Sequence, residues 1–192
     1  MKNIFFVIAI AAISFTACNS GTNKSNESNN ANNDTTQATS QTNTDTTAAT
    51  PANEIVSGYL HIKNALTNDD GNDAANGGKE IVTAIAKLDK ASLNEQQKKV
   101  YDNVADDVKE NAEHIGDNAG KIGHQREHFD MLSQDMYELV KAFGGGQTLY
   151  KDFCPMYNNN KGAIWLSETK EIKNPYLGKK MPTCGSVKEE IK

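Results

Sequence analysis

The sequence predicts a mainly helical (all-α) domain, a four-helix up-and-down bundle, followed by an irregular C-terminal tail that could include a short hairpin. Three observations lead to this prediction. Apolar residues recur at intervals of three and four through residues 53–143, alternation typical of strands is weak there, and polar turn residues divide the region into four segments. Three of the four prolines and the only tryptophan lie after Gly146, so the tail is predicted to differ from the helices.

The first two helices are predicted from apolar residues that share one helical face. Polar residues 68–71 end the first helix. The second spans roughly residues 73–90, and Gly77 and Gly78 are expected to weaken it because glycine is a poor helix former. The apolar positions are Ile55, Tyr59, Ile62 and Leu66 in the first helix and Ile81, Ile85 and Leu88 in the second.

The third and fourth helices have clearer ends. Ser92 followed by Glu95 matches a capping box and predicts the start of the third helix. The chain is expected to turn over residues 116–123, and three glycines at 144–146 end the fourth helix. The inward positions are Tyr101, Val104, Val108 and Ile115 in the third helix and Phe129, Leu132, Met136, Leu139 and Phe143 in the fourth.

The remaining segment, residues 147–192, is too short to form a domain of its own. We expect it to pack Trp165 and Tyr176 onto the helices. The predicted domain therefore covers residues 53–192.

The N-terminal segment has the features of a lipoprotein signal peptide. Lys2 precedes an apolar run from Ile4 to Ile13, which is too short to span a bilayer and suits a signal-peptide core. Small residues then precede Cys18, as in a lipobox. We predict that residues 1–17 are removed, that Cys18 is lipidated, and that the protein is anchored to a membrane of the cell envelope outside the cytoplasm, either inner or outer.

Residues 18–52 are predicted to be a disordered tether. After Cys18 this stretch contains no Val, Ile, Leu, Met, Phe, Tyr or Trp, so it cannot bury enough apolar surface to offset the entropy of ordering. Removing residues 1–17 removes one lysine and no acidic residue, which leaves 19 basic and 25 acidic residues and a net charge of −6. A chain this acidic is not expected to bind nucleic acid.

Soft metal ligands concentrate near the end of the chain. His124, His128 and Met131 are spaced by four and three, so they share a face of the fourth helix, beside its apolar stripe. Thiolate, thioether and imidazole suit Cu(I), and Zn(II) accepts the cysteines and histidines, so copper is the favoured ion and zinc the alternative. The predicted metal ligands are Cys154, Met156, Met181, Cys184, His128, His124 and Met131.

Simpler interpretations of the same residues stay open. In an oxidising compartment Cys154 and Cys184 could form a disulfide instead of binding metal as thiolates. Met131 and Met156 could fill gaps in the packing, because thioethers pack in many environments. His61 and His114 have no soft ligands near them in sequence and are predicted to be solvated.

Residues 124–128 (HQREH) also match the H-x-x-E-H pattern of inverted zinc proteases, in which two histidines bind zinc and the glutamate activates water. Such an enzyme needs a third carboxylate ligand and a substrate cleft, and this domain is far smaller than those proteases. We therefore predict that the protein is not an enzyme.

Several separated motifs resemble one known family. They are residues 124–129 (HQREHF), 139–144 (LVKAFG), 153–156 (FCPM), 174–178 (NPYLG) and 181–187 (MPTCGSV). Together they resemble the family catalogued as domain of unknown function 3347, over about residues 54–190. Domains of this type occur in exported lipoproteins and on periplasmic adaptor subunits of heavy-metal efflux systems. The resemblance therefore implies handling of copper or a related metal, and no enzymatic activity.

Two functions follow from these observations. The first is an envelope lipoprotein that binds a soft metal ion and sequesters it or transfers it to an efflux system. The alternative is a non-catalytic structural or interaction module, held by a Cys154–Cys184 disulfide, that docks on a partner such as an efflux adaptor.

Overall fold

The structure is a computed structural model that describes residues 52–192. The predicted signal peptide, the lipidation of Cys18 and the tether up to residue 51 lie outside the described residues. Within residues 52–192, no helix is both long enough and apolar enough to cross a membrane. The helices are α1 (Asn53–Thr67), α2 (Gly71–Lys87), α3 (Glu95–Asp117) and α4 (Ile122–Phe143), and the strands are β1 (Leu149–Cys154), β2 (Ala163–Ser167) and β3 (Ser186–Ile191).

The fold is mainly helical, as predicted, with each long helix packed against the next along the chain. The predicted inward positions of α1, α3 and α4 are buried, because the spacing of three and four places them on one face. In α2, Ile81 is buried, whereas Ile85 and Leu88 are only partly buried against the core. Periodicity thus located all four helices.

The start of α3 differs from the prediction. The capping box is formed by Asn94 and Gln97, not by Ser92 and Glu95. The Asn94 side chain accepts a hydrogen bond from the Gln97 amide at 2.9 Å, and the Gln97 side chain accepts one from the Asn94 amide at 3.1 Å. Ser92 instead ends a short 3₁₀ turn, Lys90–Ser92. Asn caps a helix as well as Ser does, so the two candidates were equivalent by residue type.

Gly77 and Gly78 lie inside α2, at positions where this helix approaches its neighbours closely. A Cβ atom on Gly77 would lie 2.9 Å from the carbonyl oxygen of Gly58 in α1. A Cβ atom on Gly78 would lie 2.6 Å from the carbonyl oxygen of Ala112 in α3. Side chains at these positions would force the helices apart, so the glycines permit tight packing.

The C-terminal tail is more regular than predicted. It forms a three-stranded antiparallel sheet in the order β2-β1-β3. The hairpin considered from the sequence is present as β1 and β2, with Asp152 opposite Trp165. The third strand was not predicted because β3 reads Ser-Val-Lys-Glu-Glu-Ile, which is largely exposed and has no clear alternation. Backbone pairing with β1, with a bulge at Lys151/Asp152, decides its conformation.

The tail packs on the helices through the two aromatic residues predicted for this role, Trp165 in β2 and Tyr176 in the segment between β2 and β3. Trp165 is fully buried, and the ring of Tyr176 lies 5.6 Å from the ring of Phe129 in α4. The Tyr59 hydroxyl in α1 accepts a hydrogen bond from the Leu166 amide of β2 at 2.9 Å. The prediction that Trp165 and Tyr176 pack onto the helices is therefore confirmed.

Candidate metal centre

Three histidines meet where α3 and α4 are joined. His114 lies in the last turn of α3, and His124 and His128 lie in the first two turns of α4. Only residues 118–121 connect the two helices, so the end of one lies beside the start of the other. One possible ligand atom from each imidazole lies within 4.8 Å of the others. Imidazole nitrogens are ligands for both copper and zinc.

The three rings are arranged in two orientations. The rings of His114 and His128 are stacked, with centroids 4.1 Å apart and planes within 3° of each other. His124 stands nearly perpendicular to both, at 79° to His128 and 78° to His114. An imidazole binds a metal through a lone pair in its ring plane, and two parallel stacked planes share no point. One of the two stacked rings must therefore turn before all three can bind one ion.

His128 is the most firmly held of the three rings. Its Nδ1 atom lies 2.9 Å from the side-chain oxygen of Asn111, a buried residue one turn before His114 on α3. Burial lowers the pKa of His128, and the neighbouring His114 and His124 lower it further. The neutral imidazole, which is the form that binds metal, is therefore favoured at this position.

His114 and His124 are held more loosely. His124 Nδ1 lies 3.5 Å from the carboxylate of Glu127, and His114 Nε2 lies 3.9 Å from that of Glu110. The side chains of His114 and His124 are 45% and 39% exposed. Both carboxylates are more exposed still, so these contacts restrain the rings weakly. His114 is thus the stacked ring that can turn.

A groove of about 360 Å³ lies beside His128, between α3 and α4. Met131 and the carboxylates of Asp107, Glu110 and Asp135 also line it. Burial and the nearby carboxylates of Asp107 and Glu138 raise the pKa of Asp135 to about 6. Above that pH the groove carries net negative charge, which attracts cations toward the histidines.

The structure divides the seven predicted ligands into groups. His124 and His128 lie close together, and Met131 lines the same groove as His128. Cys154 and Cys184 are joined by a disulfide, with 5.6 Å between their Cα atoms, so the disulfide alternative is the one that the structure contains. Neither cysteine belongs to the histidine group. Met131, Met156 and Met181 are 45%, 50% and 38% exposed.

Sequence reasoning missed His114, which was expected to be solvated and isolated. It lies ten residues before His124, across a turn that the sequence did predict, so the turn brings the two rings together. His61 was also expected to be solvated. It bridges the carboxylates of Glu80 and Asp73 at 2.9 and 3.0 Å, and the Glu80 hydrogen bond in particular raises its pKa.

The other residues of the H-x-x-E-H match have different surroundings. The Gln125 amide nitrogen donates to the carbonyl oxygens of Gly71 at 2.7 Å and Ile115 at 3.0 Å, which ties α4 to the start of α2 and to α3. Glu127 is 71% exposed beside His124. In residues 52–192 no carboxylate joins the close group of ligand atoms formed by the three histidines, as a zinc protease of that type would require.

The fold and this cluster define a mainly helical domain with a small antiparallel sheet and a candidate site for a transition-metal ion. Residues 55–148 match the family described as "Protein of unknown function (DUF3347)", which is the family predicted from the sequence. The match covers α1 from Ile55 onward, the other three long helices and the three histidines. It ends just before β1, so the Cys-Pro-Met and Met-Pro-Thr-Cys motifs lie beyond it. No curated protein and no solved structure matches the chain.

Proposed function

We propose that this domain binds one copper or zinc ion through His114, His124 and His128. The observation that carries the proposal is the convergence of three imidazoles from two helices, with ligand atoms within 4.8 Å of one another. Copper is the favoured ion because nitrogen sites bind Cu(II) more tightly than Zn(II). Three imidazoles also suit zinc, which commonly takes three protein ligands and leaves a fourth position for water or another ligand.

The chemistry of the surroundings supports the proposal. His128 is held neutral and oriented, whereas His114 and His124 are half-exposed and accessible to an incoming ion. Turning His114 out of its stack with His128 would remove the parallel arrangement that prevents these two rings from binding one ion. Such an arrangement suits reversible uptake of a metal ion, because His128 is already oriented for binding whereas His114 has to turn.

Metal titration of the apo-protein tests this proposal. We expect the purified chain to take up about one Cu(II), or one Zn(II) more weakly, in competition with a chromophoric chelator. His124→Ala and His128→Ala should each weaken binding at least tenfold, because two imidazoles hold these ions less tightly than three. His61→Ala is the matched control, since His61 lies outside the cluster on α1. The proposal would be contradicted if the wild-type chain took up no metal. It would also be contradicted if the double variant His124→Ala, His128→Ala took up as much metal as the wild type.

The cellular role is part of the same proposal. The signal-peptide features and Cys18 support an envelope lipoprotein that sequesters the ion or transfers it to a heavy-metal efflux adaptor. Labelling cells with a fatty-acid analogue should mark the wild-type protein and not Cys18→Ser. Unchanged labelling of that variant would rule out Cys18 as the anchor.

We also propose that the domain has no catalytic activity and that its helices form an up-and-down bundle, which the packing of each helix on the next supports.

The second candidate is a non-catalytic structural or interaction module. The observation that favours it is the disulfide between Cys154 and Cys184, which removes both thiols from metal binding. This candidate predicts a folded chain without free thiols in those positions and without metal uptake. The titration above therefore separates the two candidates.

A further inference from the structure

The hydrogen bond between His128 and Asn111 decides which nitrogen of His128 carries the proton and which keeps a lone pair for a metal. His128 Nδ1 lies 2.9 Å from Asn111 Oδ1. An amide oxygen can only accept a hydrogen bond, so Nδ1 has to be the donor and to carry a proton.

A second contact fixes the orientation of the Asn111 amide. Its nitrogen, Nδ2, donates to the backbone carbonyl oxygen of Asp107 at 2.9 Å, one turn earlier on α3. If the amide were rotated by 180°, its oxygen would face that carbonyl oxygen, and two acceptors would be in contact. Asn111 is also only 7% exposed, so water cannot easily replace either contact. The oxygen therefore faces His128.

We propose that Asn111 is a positioning residue that holds His128 in the Nδ1-protonated tautomer and thereby presents Nε2 as the metal ligand. The proposal rests on the proposed function and deepens it, because it assigns the ligand atom and the residue that selects it. Metal-binding histidines almost always donate their second nitrogen to such a partner, and removing the partner costs 10- to 100-fold in affinity.

Within residues 52–192, the charged groups that act on His128 do not offer a competing partner for Nδ1. The other charged or titratable groups that act on it are His114 on α3, His124 and Glu127 on α4, and Glu110 on α3. Glu127 and Glu110 contact His124 and His114 instead, at 3.5 and 3.9 Å. The tautomer of His128 is thus set by one neutral side chain on the opposite helix, which also keeps the ring from turning while His114 moves.

The experiment combines the tautomer of the apo-protein with the affinity for metal. Long-range ¹H–¹⁵N correlation spectra at pH 8 report which nitrogen of each neutral imidazole carries the proton. We expect wild-type His128 to be protonated on Nδ1 and Asn111→Leu to lose this preference and to bind Cu(II) or Zn(II) about tenfold or more weakly. Asn111→Asp loses the hydrogen bond to the Asp107 carbonyl oxygen but keeps an acceptor facing His128 Nδ1, so it should retain both the tautomer and the affinity. Asn103→Leu, at an exposed position on the same helix, is the matched control.

Two results would overturn the inference about Asn111. One is a wild-type His128 that is protonated on Nε2, and the other is an Asn111→Leu variant with unchanged His128 tautomer and unchanged metal affinity. If Asn111→Leu does not fold, weaker binding by Asn111→Asp together with loss of the Nδ1 proton would also overturn it. A wild-type chain that shows the Nδ1-protonated tautomer but binds no metal would contradict the proposed function, while the role of Asn111 in selecting the tautomer would stand.

Discussion

The Arg126 side chain donates a hydrogen bond from Nε to the backbone carbonyl oxygen of Pro175, at 2.8 Å. Its Nη2 atom donates to the carbonyl oxygen of Leu66 at 3.0 Å and to the carboxylate of Asp69 at 2.5 Å. One guanidinium therefore joins α4, the end of α1 and the tail. Arg126 and Pro175 belong to two motifs of the family resemblance, residues 124–129 and 174–178. The hydrogen bond between them shows that these two motifs pack against each other.

Gly178 completes this junction. Its φ of +51° lies in the left-handed region that favours glycine, and a Cβ atom there would collide with the Asp69 carboxylate and lie 2.5 Å from Arg126 Nη2. The Asp69 carboxylate also accepts a hydrogen bond from the Lys179 amide at 3.1 Å, and the Arg126 hydrogen bond above all lowers the pKa of Asp69. A glycine is thus required where the tail crosses the ion pair.

Replacing Arg126 should destabilise the domain. We expect Arg126→Met to lower the free energy of unfolding by about 2–4 kcal/mol, because it removes charge-assisted hydrogen bonds to three partners. Urea denaturation followed by circular dichroism measures this difference. Lys121→Met is the control, since Lys121 is exposed and its ammonium contacts only Asn118 in the described structure. Equal effects of the two substitutions would contradict the structural role of Arg126.

The disulfide is expected to stabilise the tail without serving the metal site. Cys154 and Cys184 are 30 residues apart, and in the chain-entropy model such a closed loop contributes about 3–4 kcal/mol. The double variant Cys154→Ala, Cys184→Ala should lose roughly this amount in urea denaturation and should still take up metal. Loss of metal uptake in that variant, with retained uptake in His124→Ala, would place the site on the sulfur ligands instead.

Asp152 should make the protein less stable as the pH rises. Its carboxylate is fully buried in β1, and neither oxygen has a hydrogen-bond partner among the described residues. Burial raises its pKa from 3.8 to about 7, and the nearby Lys63 opposes this only partly. Because the folded-state pKa is the higher one, the folded protein binds more protons between about pH 4 and pH 7, and stability falls through that window.

Asp152→Asn removes this dependence. We expect the variant to be more stable than the wild type by up to about 4 kcal/mol at pH 8 and nearly equal to it near pH 4, since the pKa is raised by about three units and one unit corresponds to about 1.4 kcal/mol. Urea denaturation at both pH values measures the difference. Asp106→Asn, at an exposed position on α3, should show no such change between the two pH values. A constant difference between wild type and Asp152→Asn at pH 4 and pH 8 would contradict the argument.

A buried ion pair joins α1 to the end of β2. Lys63 is only 1% exposed, and its ammonium lies 2.7 Å from the Glu168 carboxylate, which is 29% exposed. Glu168→Leu should cost about 3–5 kcal/mol, because it leaves the buried lysine charge without its partner. Adding Lys63→Met should recover most of the loss. Thermal denaturation measures the stability of the single and the double variant. If the effects of Glu168→Leu and Lys63→Met simply added in the double variant, the two side chains would not be coupled.

Glu171→Leu is the matched control for that ion pair. Glu171 contacts Lys173 at 3.2 Å, but its side chain is 73% exposed. Exposed pairs contribute little because water screens both charges, so we expect a change below about 1 kcal/mol. A loss of stability equal to that of Glu168→Leu would contradict the argument that burial makes the Lys63–Glu168 pair the more important one.

The sequence predicted the four long helices, because the spacing of apolar residues that indicates a helix lies within a short stretch of the chain. Residues such as Ile55 and Tyr59, or Phe129 and Leu132, reveal a helix because one turn of backbone brings them to the same face. The choice of Asn94 over Ser92 as the cap of α3 could not be predicted in this way, since both residue types cap helices well. Strand β3 was missed for a related reason, because its conformation depends on pairing with β1.

By itself, therefore, the sequence determined the four helices, the family match over residues 55–148 and the presence of His124 and His128 on one face. Only the tertiary structure decided that His114 joins them, because its position depends on how the turn at residues 118–121 sets α3 against α4. It likewise decided that Cys154 pairs with Cys184, since spacing along the chain cannot show whether two distant thiols meet. Side chains far apart in sequence are brought together by packing, which local patterns do not encode.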